Sequence, residues 1–123
     1  MSKKKILVID DNQTTLHIID DVLHTHNFEC IKANNGENGI EAAKTQKPNA
    51  ILLDREMPGL NGQEVLKLLK KDEKTKNIPV IMLTGGNNIN DVAKFLEAGA
   101  QDYIVKPFNN ENLIMRLKNV IIP

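Results

Sequence analysis

The chain has little that would betray a partner by composition. Sixteen lysines and arginines cancel sixteen aspartates and glutamates over 123 residues. Without a net field there is no overall electrostatic case for nucleic acid or an anionic membrane as partner, so any charge that matters must be local. A single cysteine, Cys30, excludes an internal disulfide. It lies in an apolar run, where a small buried hydrophobe is expected rather than a reactive thiol. No apolar stretch approaches the roughly 18 residues of a membrane span. The basic start "MSKKK" leads only into "ILVI" before two aspartates arrive, too short a run for a signal peptide. No internal repeat, low-complexity tract or linker interrupts the chain. These absences lead us to expect one cytoplasmic domain over residues 1–123, with no membrane insertion and no nucleic-acid binding of its own. A domain of this length can bury roughly two-thirds of its unfolded surface and needs no covalent staple.

What is present is a regular alternation. Five short apolar runs, "KILVID", "FECIKA", "AILLD", "PVIMLT" and "DYIVK", read as strands, and the third and fourth are nearly continuously apolar, as for parallel strands covered on both faces. Helical spacing fills the gaps. In "NQTTLHIIDDVLHTHN" Leu16, Ile19, Val22 and Leu23 form one stripe, with Asn12 or Thr14 as the starting cap and Asn27 as the stop. "GENGIEAAKTQ" is a weaker helix that Pro48 ends. "GQEVLKLLKKDE" groups Val65, Leu68 and Leu69, and "NINDVAKFLEAGA" groups Val92, Phe95 and Leu96 before stopping at Gly99. "NENLIMRLKNVII" carries Leu113, Ile114, Leu117, Val120 and Ile121 at helical spacing. Strict strand-helix alternation with right-handed crossovers predicts an α/β fold, a doubly wound parallel sheet of five strands with helices on both faces.

In such sheets ligands bind beyond the carboxy ends of the strands, near the point where strand order reverses. The first strand ends in Asp10 and Asp11, the third in Asp54, the fourth in Thr84 and the fifth in Lys106. Three carboxylates in a half-buried crevice raise one another's pKa values unless a counter-charge is supplied. An all-oxygen set with few carboxylates suits magnesium, and manganese could replace it. Zinc is disfavoured, because His17, His24 and His26 sit together on or just after the first helix, on what reads as a solvated face. Beside the acids, a hydroxyl and an ammonium can neutralise and hydrogen-bond a transferred phosphoryl group. Taken singly, Lys106 could be a salt bridge and Thr84 a strand-end cap; the joint placement at the correct strand ends favours a site.

The quoted strand ends, "VIDDN", "LLDREMPGLNG", "MLTGG" and "YIVKPF", resemble those of the response regulator receiver domain of two-component signalling, over the whole chain. The resemblance implies a flavodoxin-like receiver fold with spatial strand order 2-1-3-4-5. It implies that Asp54 accepts a phosphoryl group from a histidine kinase or a histidine phosphotransfer protein. It further implies that Asp11 holds magnesium directly and Asp10 mainly through water, while Glu56 offers its backbone carbonyl. Lys106 would bind the phosphoryl oxygen, with Lys106–Pro107 in a cis peptide, and Thr84 would move to the phosphoryl group as Tyr103 swings inward. The face built from the fourth helix, fifth strand and fifth helix would then change, with Lys94, Asn112, Met115, Arg116 and Asn119 as candidate contacts for a downstream protein. Beyond phosphotransfer to itself and its reversal, no enzymatic activity is expected.

Elementary chemistry supports several of these roles separately. Cis costs little at an X-Pro bond, and such a turn could aim Lys106 back at the site. Pro58 and Gly59 supply a tight turn after Asp54. Gly85 and Gly86 leave the loop after Thr84 without side chains to resist movement. Two features depart from the family pattern or complicate it: Gly85 stands where alanine or serine is commoner, and Glu56 adds a carboxylate at a position that influences phosphoryl lifetime. Three rival readings exist. A magnesium-dependent aspartate-nucleophile phosphohydrolase of the haloacid dehalogenase type wants D-x-D and a cap domain, where this chain has adjacent Asp10 and Asp11. A flavin or dinucleotide carrier wants a glycine- or hydroxyl-rich phosphate loop where this chain has "DDNQTT". A receiver-like interaction module that is never phosphorylated usually lacks one of the five site residues.

Overall fold

Every apolar run forms a strand and every intervening segment a helix. The computed structural model describes residues 3–85 and 89–121. Along the chain lie β1 (Lys5–Ile9), α1 (Gln13–Thr25), β2 (Glu29–Ala33), α2 (Gly36–Gln46), β3 (Ala50–Asp54), α3 (Gly62–Lys71), β4 (Val80–Thr84), α4 (Ile89–Glu97), β5 (Asp102–Val105) and α5 (Asn110–Val120). The strands pair in parallel in the order β2-β1-β3-β4-β5. The order therefore reverses between β1 and β3, the two strands expected to carry the acids. Among the described residues no helix is long and apolar enough to cross a membrane.

Alternation along the strands divides the core in two. Ile6 and Val8 of β1, Leu52 of β3, Ile81 and Leu83 of β4 and Ile104 of β5 face α1 and α5, whose Leu16, Ile19, Leu23, Leu113 and Leu117 close that layer. Leu7, Ile9, Ile51, Leu53, Val80 and Met82 face the other way, against Ala43 of α2, Val65, Leu66 and Leu69 of α3, and Phe95 of α4. Cys30 is half-buried against the first layer. Burial, reinforced by the Asp20 carboxylate, pushes its thiol up to about 12, so it is protonated and inert at neutral pH.

Among the described residues, asparagine caps the start of four helices. The side chains of Asn12, Asn35, Asn61 and Asn109 accept hydrogen bonds from the N–H groups of Thr15, Asn38, Glu64 and Asn112, and at Asn61 the Glu64 carboxylate returns the bond to complete a capping box. Each such cap contributes about 1 kcal/mol. At the far end of α1, Asn27 adopts a left-handed φ of 66° just beyond the capping His26. The helix α2 stops at Gln46, and Lys47 turns left-handed before Pro48.

Three local expectations need correction. The helix α3 ends at Lys71 rather than continuing to Glu73, because Asp72 becomes extended and its carboxylate accepts the Lys74 N–H at 2.8 Å, a local bond that competes with the helix. Leu68 is 44% exposed, and Leu66, fully buried, takes its place. The buried stripe is Gly62, Val65, Leu66 and Leu69. Gly62 lies against the backbone of Asp54, which rolls the helix toward residue 66 and turns residue 68 outward. On α4, Phe95 is buried and Leu96, one position round the helix, is 45% exposed. Gly86, the second glycine of the loop after Thr84, falls outside the described residues, as do Asn87 and Asn88. Truncation distinguishes the two leucines of α3: Leu66→Ala should cost about 2–5 kcal/mol and Leu68→Ala within about 0.5 kcal/mol, read from urea unfolding midpoints.

Candidate functional site

The site is assembled from residues at or just past four strand ends. Asp10 follows β1, fully buried, with its N–H donated to the Ala33 carbonyl at 3.1 Å. Asp54 is the last residue of β3 and is likewise buried. Lys106 follows β5; its N–H reaches the Thr84 carbonyl at 2.7 Å, and the bond to Pro107 is cis, as anticipated. From there the lysine ammonium returns over β4 to lie 3.1 Å from Asp54 Oδ1 and 3.3 Å from Asp10 Oδ2. Asp11 sits exposed at the rim. One carboxylate oxygen from each of Asp10, Asp11 and Asp54 can be chosen so that all lie within 4.8 Å of one another, the spacing of a shared hard-cation site.

The remaining predicted residues lie around this centre. Thr84 is buried at the end of β4, one position beyond Leu83, the residue paired with Asp54. Tyr103 pairs with Met82, so it and Thr84 occupy the same face of adjacent strands, two positions apart in register. Its half-buried ring packs on the second core layer and lies beneath the Arg116 guanidinium, 5.7 Å from carbon to ring centroid. Glu56 is exposed, with its carboxylate 3.6 Å from Arg55 Nη1, and its backbone N–H donates to the Asp54 carboxylate. Among the described residues no histidine joins the Asp10, Asp11 and Asp54 cluster; His17 lies 3.8 Å from Asp21 on the surface of α1.

Three contributors, Asn12, Asp102 and Gly62, were not singled out for the site from the sequence. Asn12, noted only as a cap, also donates its N–H to Asp10 Oδ1 at 2.9 Å. Asp102 accepts from Arg116 Nη1 at 2.6 Å, and Asn112 accepts from Arg116 Nε at 3.2 Å. Arg116 and Asn112 are therefore half-buried and tied down, whereas Lys94, Met115 and Asn119 are exposed as expected. Gly62 is the third. Its place after Asn61 and two residues before Glu64, within a capping box, was a legible signal of a helix start, but its contact with Asp54 was not.

Electrostatically the cluster is short of positive charge. Burial first, and the Asp10 carboxylate second, push the Asp54 carboxyl up to about 6, against the opposing pull of Lys106 and the Glu56 N–H. Burial works against the Lys106 ammonium, but Asp10 and Asp54 outweigh it and hold its pKa above the ordinary lysine range. Among the described residues, one ammonium lies between two buried carboxylates, an arrangement to which a divalent cation can add positive charge.

A family model described as the response regulator receiver domain matches residues 6–118. The chain belongs to the response regulator receiver family. This receiver domain is 36% identical over 117 residues to protein PilH of Pseudomonas aeruginosa, an alignment covering 95% of the chain and 97% of PilH. It is 40% identical over 121 residues to the phosphate regulon transcriptional regulatory protein PhoB of the same organism, covering 98% of the chain but 53% of PhoB. The chain thus spans about half the length of several curated relatives that it matches. Among solved structures, the chemotaxis protein CheY4 of Vibrio cholerae superposes with a TM-score of 0.92 at 27% identity, covering 97% of this chain and 99% of that one. The receiver domain of a sensor histidine kinase from Pseudomonas aeruginosa PAO1, with a magnesium ion coordinated in its active-site cleft, gives 0.90 at 28% identity over 98% of each chain. Receiver domains are signalling switches of two-component systems, and the flavodoxin-like order observed here is theirs.

The raised carboxyl has a measurable consequence. With a folded-state pKa of about 6 against an ordinary 3.8, the folded chain holds a proton that the unfolded chain has already lost. Stability should therefore fall as pH rises through that window and stay lower above it. Asp54→Asn removes the decline. In metal-free buffer the variant's advantage should grow from about pH 4 and reach about 1–3 kcal/mol near pH 7, measured by urea unfolding across pH; a pH-independent difference would contradict the assignment.

Proposed function

We propose that this receiver domain is a phosphorylation-controlled switch of a two-component or phosphorelay pathway, acting in the cytoplasm, in which Asp54 takes a phosphoryl group from a histidine kinase or a histidine phosphotransfer protein. The observation that carries the reading is the Lys106 ammonium 3.1 Å from a buried Asp54 whose neighbours are two further carboxylates. Asp10, Asp11, Asp54 and the Glu56 backbone carbonyl would hold magnesium, or manganese in its place. When bound, the cation supplies the positive charge that lets the acids stay ionised and screens the incoming phosphoryl oxygens.

The chain's own groups do the rest. An Asp54 carboxylate oxygen forms the new bond to phosphorus as the bond to the donor's imidazole nitrogen breaks, and the proton needed by the departing imidazole comes from solvent or from the donor. Lys106 is already placed to neutralise charge spread over the transferred group, and it keeps its proton throughout. The product adds nearly two negative charges and strong acceptors at the end of β3. Those acceptors draw on the Thr84 hydroxyl and on Lys106. Because Tyr103 shares the sheet face of Thr84 on the adjacent strand, it is the side chain positioned to follow when Thr84 moves. Its departure from under Arg116 forfeits a cation–π contact of about 0.5–2 kcal/mol, so α5 responds to the change at β4. The output is read on the α4, β5 and α5 face by a downstream protein, for which Lys94, Met115 and Asn119 are the exposed contacts.

Incubation with magnesium and acetyl phosphate should give one phosphoryl adduct by mass spectrometry, stable in acid and labile in base. Asp54→Asn should give none, and Lys106→Ala should slow its formation by roughly 10²-fold or more. No adduct under any donor would favour an interaction module that is never phosphorylated. Rapid release of phosphate from diverse phosphomonoesters would favour a hydrolase.

A further inference from the structure

The segment between Asp54 and α3 leaves the sheet at the acceptor and comes straight back to it. Its point of return is Gly62, whose N–H donates to the Arg55 carbonyl at 2.9 Å and closes the loop on the residue where it began. Gly62 is buried, and a methyl group in place of its Cα hydrogen would overlap the Asp54 carbonyl oxygen, 2.8 Å from Arg55 Cα and 3.0 Å from the Asp54 carbonyl carbon. All three neighbours are backbone atoms, so no rotamer change relieves the overlap. Gly59, in the same loop, is different: it needs glycine for its φ of +76°, yet no described atom lies within 4 Å of where its Cβ would stand.

We infer that Gly62 is a positioning residue for Asp54: its missing side chain lets the first turn of α3 lie against the Asp54–Arg55 peptide and so holds the acceptor carboxylate in line with Lys106. The inference rests on Asp54 being the phosphoacceptor. That peptide is fixed from several sides. The Arg55 N–H donates to the Leu83 carbonyl at 2.9 Å, the Glu56 N–H meets the Asp54 carboxylate, and Lys106 meets Oδ1 at 3.1 Å. Relief of an overlap with three backbone atoms requires a shift on the order of 1 Å, which would carry the Glu56 N–H and the carboxylate away from their partners; misplacement on that scale costs roughly 10²-fold in rate.

A matched pair of variants tests this. Gly62→Ala and Gly59→Ala are compared with the parent chain for the rate of Asp54 phosphorylation by acetyl phosphate in saturating magnesium, with the folded fraction of each fixed by circular dichroism in urea. Gly59→Ala should lose stability through its φ yet keep the parental rate per folded molecule. Gly62→Ala should fall by roughly 10²-fold per folded molecule. Equal rates for the two variants overturn the inference and leave the acceptor reading standing, whereas failure of the parent chain to be phosphorylated on Asp54 removes the acceptor reading itself and the inference with it. A Gly62→Ala chain that stays unfolded even with trimethylamine N-oxide, which strengthens burial, shows that the residue serves the fold rather than the site, and this too overturns the inference.

Discussion

A parallel sheet covered on both faces leaves its central strands no place for polar side chains except their ends. In β3 and β4 every residue is buried, so Asp54 and Thr84 are the first polar side chains those strands can offer. Parallel pairing then brings all such ends to one edge, and the order β2-β1-β3-β4-β5 sets the β1 end beside the β3 end. Asp10 and Asp54 become neighbours for that reason alone. Lys106 joins them from the far side of β4 because a lysine stem is long enough to cross one strand. The site is thus a product of sheet topology, filled by residues separated by 96 and 52 positions along the chain.

The same arrangement sets the electrostatics. Burying Asp54 next to Asp10 disfavours its charged form, and one ammonium does not make up the difference. Two buried acids with one ammonium between them cost stability, and strongly shifted groups in a cleft mark candidate functional sites. On the proposed reading, the acids would take a cation and the lysine a phosphoryl group. On the same proposed reading, the link outward would run through the fifth strand, where Tyr103 stands on the sheet face of Thr84 and under Arg116, which Asp102 and Asn112 hold in place.

Most of the fold could be read in advance because its signals are local. The near-continuous apolar runs "ILL" and "VIML" identify the central strands, and asparagine at the helix starts works through bonds three residues long. The early end of α3 came from a local bond, that of the Lys74 N–H to the Asp72 carboxylate, but the roll of α3 and the burial of Arg116 turned on remote contacts. Leu66 and Leu68 lie on either side of the Val65–Leu69 stripe, and periodicity does not choose between them. The choice follows from Gly62 seating α3 against Asp54. Arg116 reads as an exposed helical arginine until β5 supplies Asp102 as its partner.

By itself the sequence determined the strands and helices, the polar residues at or just past the ends of four of the strands, and, through the spacing of Asp10, Asp11, Asp54, Thr84 and Lys106, the family to which the chain belongs. It could do so because side-chain period, capping and strand termination are settled by neighbours a few residues away. Tertiary structure decided how α3 rolls on the sheet, how Arg116 is held over Tyr103, how far Asp54 is driven from its ordinary titration, and that a side chain on Gly62 would meet the Asp54–Arg55 backbone. Each of these depends on atoms that meet only after the sheet has closed, and burial and distance, which set their energies, are not properties of a linear chain.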